Sequence, residues 1–270
     1  MLNYSVLMTV YEKDNPEYLK DSINSMLNQT VKTNDFVLVC DGKLTEKLNS
    51  IVEQYAKDYK GLFNIIMLPE NVGLGKALQL GVLQCKNEYV ARMDDDDISC
   101  SNRCEVELDY MEKNQDISIV SSYMNEFDVD FTCPIRVKKV PINHDEILSY
   151  SKRRNPFNHS AVIFRKSAII KAGNYSDMRT NQDVDLWVRM LNKGFRGANI
   201  DLPLVNFRFD NGTYERRKNW NNVKLLISVW RRFYNNKYCS FYDYIVVAFT
   251  QIAVFLMPES FIKWAYNHLR

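Results

Sequence analysis

Tyr89-Val-Ala-Arg-Met-Asp-Asp-Asp-Asp-Ile98 is a short apolar run, Tyr89–Met93, that ends in four consecutive carboxylates. A run of this length with β-branched and aromatic residues reads as a buried strand. Working outward, Tyr4–Thr9, Phe36–Cys40 and Phe63–Leu68 upstream and Ile117–Tyr123 downstream have the same character. The segments between them have helical periodicity. The first is opened by Asn15-Pro16 and repeats Leu19, Ile23, Met26 and Leu27 on one face. Leu44–Tyr59, Gly73–Leu83 and Asn102–Lys113 supply the next three helices. Alternation of strand and helix predicts an α/β fold, a Rossmann-like, mostly parallel sheet with helices on both faces. Ligands of such sheets bind beyond the carboxyl ends of the strands. That rule singles out Thr9–Tyr11, Asp41 and Asp94–Asp97.

Past residue 126 the pattern loosens. Val129–Val140 reads as strand or hairpin, Ser160–Phe164 as a strand, Lys166–Lys171 as a short helix and Gln182–Asn192 as a stronger one. Beyond residue 210 the chain reads as helical, near 218–234, 240–256 and 258–269. The expected division is a sheet domain over residues 1–210 and a C-terminal helical appendage over 211–270.

Composition narrows the function. The chain has 270 residues, 46% hydrophobic and 25% charged, enough for a packed core. A net charge of only +2 argues against a general nucleic-acid binder. The charge is uneven, however: residues 1–205 are net −4 and residues 206–270 net +6. Six cysteines without a CxxC pair read as buried thiols of a reducing cytosol, and the N-terminus shows no basic leader.

Four adjacent carboxylates at a strand end repel one another, and a divalent cation with hard oxygen preference, Mg²⁺ or Mn²⁺, would relieve this. The plainer alternative is a solvated acidic turn. Asp41, before Gly42, is either a turn residue or an acceptor for a base or ribose. In Gln182-Asp-Val-Asp-Leu-Trp187, Asp183 is either a first-turn helix acid or a general base projecting into the crevice. Asp185 is the rival acid and points elsewhere on the helix.

Together these segments resemble the family 2 glycosyltransferases of the GT-A fold, especially those that build bacterial O-antigens and capsules. The matching stretches are Ser5-Val-Leu-Met-Thr-Val-Tyr11, Val39-Cys-Asp-Gly42, Asn71-Val-Gly-Leu-Gly-Lys76 and Ala91-Arg-Met-Asp-Asp-Asp-Asp-Ile98. They continue with Asn155-Pro-Phe-Asn-His-Ser160, Phe164-Arg-Lys166 and Gln182-Asp-Val-Asp-Leu-Trp-Val-Arg189, in family order over residues 4 to 208. The resemblance implies that Thr9, Tyr11 and Asp41 hold the uracil and ribose of a UDP-sugar, with Asn71 and Lys76 near the nucleotide. It implies that Asp96 binds the metal directly and that Asp94 touches the ribose or the metal's water, so that Asp94 counts with Asp96 for the metal and with Arg92 and Asp95 among the nucleotide-sugar contacts. Asp183 matches the family's base, and His159, Trp187 and Arg189 would shape the sugar and diphosphate pocket. The chain departs from the family pattern at Val10, Cys40, Asp95, Cys100-Ser-Asn-Arg103 and Gln182, none of which removes a metal ligand or the base.

The implied reaction is metal-dependent, inverting transfer of a hexose or N-acetylhexosamine from a UDP-sugar to a hydroxyl of a polyprenyl-diphosphate-linked saccharide. A sugar-1-phosphate nucleotidyltransferase would want a Gly-rich basic loop after the first strand, where Glu12-Lys-Asp-Asn15 stands. A non-catalytic nucleotide-sugar-binding protein would not need both Asp96 and Asp183. Arg216, Arg217, Lys218, Lys224, Arg231, Arg232 and Lys237 interleave with aromatic and aliphatic residues, and the apolar stretch Tyr244–Met257 follows. That pattern fits an interfacial helix on the anionic inner face of the cell membrane, for a cytoplasmic, peripheral protein. Packing on the sheet domain or a homodimer interface is the alternative.

Overall fold

The computed structural model describes residues 2–127, 131, 134–209 and 219–258. The strands are β1 (Tyr4–Val10), β2 (Asp35–Cys40), β3 (Phe63–Met67), β4 (Tyr89–Arg92), β5 (Ile98–Ser99), β6 (Ile117–Phe127), β7 (Pro134–Lys138), β8 (Ile163–Arg165) and β9 (Arg196–Arg208). The helices are α1 (Pro16–Leu27), α2 (Glu46–Asp58), α3 (Leu74–Gln84), α4 (Arg103–Lys113), α5 (His144–Ser151), α6 (Lys166–Ala172), α7 (Gln182–Asn192), α8 (Trp220–Asn235) and α9 (Phe241–Leu256). The expected helix at 258–269 and the cations Arg216, Arg217 and Lys218 lie outside the described residues, as does part of the expected hairpin at Val129–Val140.

One sheet runs in the order β3-β2-β1-β4-β8-β6-β9-β5, with β7 added to β6. β1 pairs in parallel with both β2 and β4, and β2 with β3. β8 then enters antiparallel between β4 and β6, and β9 runs parallel to β6. The sheet is therefore mostly parallel, with β5, β7 and β8 reversed. Reading Ser160–Phe164 as one strand needs correction. A 3₁₀ turn over His159–Ala161 comes first, and only Ile163–Arg165 joins the sheet. The segment ahead of that turn is tied to β6 by Asn158, bonded to Ser121 and the Ser122 carbonyl, and to β9 by Asn199, which donates to the Pro156 carbonyl.

Helices cover both faces. Leu19, Ile23 and Met26 of α1, Leu48 of α2 and Leu108 of α4 pack on one face. Leu78 and Val82 of α3, Ile169 of α6, Leu186 and Trp187 of α7, and Val229, Trp230 and Phe233 of α8 pack on the other. Each such buried aliphatic side chain contributes about 1.5–3 kcal/mol. The caps are local. Asn15 accepts from the Glu17 amide before Pro16, and Thr45 from the Leu48 amide. The five described cysteines are free thiols, all buried except the half-buried Cys100.

Two glycines allow close approaches that the crevice needs. Gly42 turns at φ +89° against the Asn71 backbone. A Cβ at Gly75 would run into the carbonyl oxygens of Ser176 and Met178, so α3 can abut the 173–181 loop only because residue 75 has none.

Candidate active site

The acidic run leaves the sheet at the end of β4. Arg92, the last residue of that strand, is buried, and its guanidinium grips the Asp94 carboxylate in a two-point ion pair. Carboxylate oxygens of Asp94, Asp96 and Asp97 lie within 4.8 Å of one another, with Asp96 exposed and Asp97 fully buried. Asp97 Oδ1 accepts from the Arg208 amide at 3.1 Å, while Oδ2 is buried without a partner. Burial, then the charges of Asp96 and Asp94, pushes the Asp97 carboxyl well above its ordinary range. Asp95 is raised in the same way by burial and then by Asp14, Asp96 and Asp94. Asp14 is itself raised to about 7, chiefly by burial and against the Tyr11 amide that donates to it at 2.7 Å. A group of acids that cannot all hold charge, with an orphaned buried oxygen among them, has the donor chemistry of a hard divalent cation site.

Three supports fix this loop. Ser22 Oγ donates to the Asp94 carbonyl at 2.6 Å. Arg208, at the end of β9, donates to the Asp96 carbonyl and stacks on the Tyr18 ring. Arg103 is buried in a 3.0 Å pair with Glu107 and donates to the Arg92 and Val162 carbonyls at 2.9 and 3.1 Å, tying β4 to the turn before β8.

Asp183 stands in the first turn of α7. Asn155 Nδ2 donates to its carboxylate at 2.6 Å. Burial raises its pKa, and the Val184 amide, Asn155 and the Arg92 guanidinium oppose that rise. His159, on the 3₁₀ turn, has Nε2 3.0 Å from the Tyr175 hydroxyl. Burial and then Arg92 hold its pKa well below the ordinary value, so the ring is neutral. Arg92 thus pairs with Asp94, and its charge also acts on His159 and Asp183.

The residues expected on the nucleotide side include a second bonded group. Asp41 accepts from the Val72 and Gly73 amides at 2.7 and 2.9 Å, which caps the start of α3, whose Gly73 has no side chain to do so. Asn71 donates to the Asp41 carbonyl and accepts from Arg179. Thr9 is half-buried near the end of β1, Tyr11 is exposed just beyond it, and Lys76 donates to Gln79 on α3.

Two expected pocket residues stand apart from the crevice. Trp187 is fully buried in the core, its ring against Phe157, His159 and Tyr175, so it supports the pocket wall from behind. Arg189 pairs with Asp185 and donates to the Ala172 and Asn174 carbonyls, tying α7 to the end of α6. Asp185 also pairs with Arg232 at 2.8 Å, which docks α8. Sequence reasoning gave no role to Asn155, although it stands in a quoted motif. It passed over Tyr175, Asp14 and the ligand value of Asp97, whose positions depend on contacts distant in sequence.

Comparison with known proteins agrees with this geometry. Residues 5–172 match the family described as Glycosyl transferase family 2. The chain is 38% identical, over 98% of its length and 95% of the other, to an Escherichia coli UDP-Gal:α-D-GlcNAc-diphosphoundecaprenol β-1,3-galactosyltransferase. It is 34% identical, over 84% of both chains, to the amylovoran biosynthesis glycosyltransferase AmsE of Erwinia amylovora. A mannosyltransferase from Pyrobaculum calidifontis, solved with GDP-Man and Mn²⁺, superposes with a TM-score of 0.67 at 13% identity, over 94% of this chain and 70% of that one. At that identity the likeness concerns the GT-A fold.

Proposed function

Because the chain belongs to glycosyl transferase family 2 and is a glycosyltransferase, we propose that it moves a hexose from a UDP-sugar to a hydroxyl of a polyprenyl-diphosphate-linked saccharide, with inversion. The relative that acts on a diphosphoundecaprenol-linked sugar, matched along nearly the whole chain, supports this donor and acceptor class. Asp94, Asp96 and Asp97 would hold a divalent cation, Mn²⁺ or Mg²⁺. When bound it supplies Lewis-acid stabilisation to the leaving diphosphate, so no general acid is needed. The observation that carries the reading is the acid cluster Asp94, Asp96 and Asp97 at the end of β4, gripped by Arg92, whose charge also acts on the Asp183 carboxyl. A donor with its diphosphate at these acids would need its open face towards the Asp183 carboxylate for in-line attack.

Asp183 takes the acceptor hydroxyl's proton as that oxygen attacks the anomeric carbon. The carboxylate is held by Asn155 and the start of α7, so it meets the hydroxyl without rearrangement. A single displacement opposite the leaving group converts an α-linked donor into a β-linked product, by the stereochemical logic of inverting glycosidases. Asp41, Asn71, Thr9 and Tyr11 form the nucleoside end of the crevice.

The C-terminal helical part is the proposed membrane-facing unit, at the inner leaflet. Tyr242, Ile245, Phe249, Ile252 and Leu256 are all exposed, and they recur at three- and four-residue spacing along α9. The helix has one charged residue, Asp243, which Arg153 neutralises at 2.6 Å. Among the described residues no helix is long and apolar enough to cross a membrane. An uncharged apolar face beside exposed Arg231 and Lys237 suits an anionic lipid surface. A coiled-coil homodimer would want charged flanks on that helix, and α9 lacks them.

The test is transfer from UDP-sugars to a synthetic polyprenyl-diphosphate-linked acceptor by the wild type and by Asp183→Asn. The variant should retain nucleotide binding and lose turnover by ~10²-fold or more. Near-normal turnover, or an α-linked product from an α-linked donor, refutes the assignment.

A further inference from the structure

Tyr175 is fully buried and lies on the loop between α6 and α7. Several bonds fix its place. Its carbonyl accepts from Gln79 of α3 at 2.7 Å, its amide donates to Asn174 Oδ1 at 2.7 Å, and Asn174 Nδ2 donates to the Gln79 carbonyl at 3.0 Å. The close approach at Gly75 brings this loop against α3. The phenol is thereby fixed beside His159, within reach of the charges of Arg92, Asp183 and Asp94. Its one hydrogen-bond partner among the described residues is His159 Nε2, at 3.0 Å.

That contact has two chemical forms. In one, imidazole Nε2–H donates to the phenol oxygen, and the phenol O–H, fully buried, is left with no acceptor. In the other, the phenol O–H donates to an unprotonated Nε2 and no buried donor is orphaned. An unsatisfied buried donor costs far more than a phenol oxygen with spare lone pairs, so the second form prevails. The proton of the neutral ring then sits on Nδ1, which has no hydrogen-bond partner among the described residues. The ring is only half-buried, and the Arg92 charge acts on it.

We propose that Tyr175 is a positioning residue: its hydroxyl fixes the Nδ1–H tautomer of His159, so that Nδ1–H donates to an oxygen of the bound sugar diphosphate. The tautomer follows from the Tyr175–His159 contact alone. Its use on the donor rests on the transferase reading above. A neutral N–H donor there orients the donor without adding a second full positive charge next to Arg92. Trp187, itself backed by Phe157, meets the imidazole edge-on, so the fixed proton also has a fixed direction.

The test uses the full chain with ¹⁵N-labelled histidine. The chain has three histidines, so the His159 signals are assigned by their absence in His159→Ala. In the wild type, long-range ¹H–¹⁵N correlation should show His159 with a protonated Nδ1 and an unprotonated Nε2. Tyr175→Phe removes only the hydroxyl and should move the proton to Nε2 or mix the two forms. Saturating UDP-sugar should shift the Nδ1 signal in the wild type. In transfer assays Tyr175→Phe should raise the donor KM roughly tenfold, the scale of one lost hydrogen bond. The double variant with His159→Ala should be no worse than His159→Ala alone. A wild-type His159 protonated at Nε2 overturns the proposal without any variant or activity. So does a tautomer unchanged in a folded Tyr175→Phe protein. A correct tautomer with an Nδ1 signal indifferent to bound UDP-sugar overturns the donor contact. If no UDP-sugar binds or reacts at all, it is the UDP-sugar donor reading that fails, and the tautomer result stands.

Discussion

Replacing Asn155 with alanine separates the charge state of the proposed base from its position. The Asp183 carboxyl is pushed up by burial and held down in part by the 2.6 Å hydrogen bond from Asn155 Nδ2. A hydrogen bond to a charged acceptor is worth about 1.5–3 kcal/mol, and one pKa unit corresponds to about 1.36 kcal/mol. The carboxylate is half-buried, so water replaces part of the lost contact and the low end applies. Asn155→Ala should therefore raise the Asp183 pKa further. The base works only when ionised, so the acid limb of the kcat profile should move to higher pH by the same amount. Below the limb activity should fall roughly tenfold; above it activity should approach the wild type. Stability follows the same sign. A carboxyl raised in the folded state contributes fully below its unfolded pKa and loses that contribution as pH rises through the folded value. Asn155→Ala should thus be most destabilised at the alkaline end of that window. The assay is initial rates at saturating donor across the pH range where carboxylates titrate, with Asp183→Asn as a reference that has no acid limb. A uniform loss at every pH, with the limb unmoved, would refute the idea that Asn155 tunes the reacting carboxylate.

Excess chelator should abolish transfer and Mn²⁺ or Mg²⁺ restore it, while Asp96→Ala and Asp97→Asn should weaken Mn²⁺ binding in a calorimeter; full activity in chelator would contradict the metal site. Gly75→Ala should lower the melting temperature, because its methyl meets two backbone carbonyls that cannot swing aside; overpacking of this kind costs about 1–3 kcal/mol or more. An unchanged melting temperature would mean that the 173–181 loop is not docked on α3. Phe249→Glu with Leu256→Glu should end flotation with anionic vesicles while sparing the fold, since both side chains are largely exposed. High salt should weaken the wild-type interaction, its charge component being screened over ~8–10 Å. If the wild type ignores such vesicles, the α9 face has another use.

The sequence alone was enough for the alternating first half of the sheet, because each strand there is a continuous apolar run and each helix repeats at its own period. β1, β2, β3 and β4 fall within a residue or so of where Tyr4–Thr9, Phe36–Cys40, Phe63–Leu68 and Tyr89–Met93 suggested. It also placed Asp41, the acidic run and Asp183 at strand and helix ends, since the carboxyl edge of a parallel sheet is where such side chains can gather. It could not locate β9, because Asp201, Pro203 and Asn206 break the alternation of a strand that bulges as it follows β6. It could not distinguish among four adjacent acids. Arg92 claims Asp94, Asp14 sits against Asp95, and the Arg208 amide pins Asp97 and leaves one of its oxygens free. It placed Arg189 at the pocket and left Asn155 and Tyr175 without roles. Which face of α7 meets α6, and which residue of the 173–181 loop meets the 3₁₀ turn, depends on packing between segments far apart in the chain. A periodicity states that a side chain lies on a face. What that face meets is decided only when the layers close.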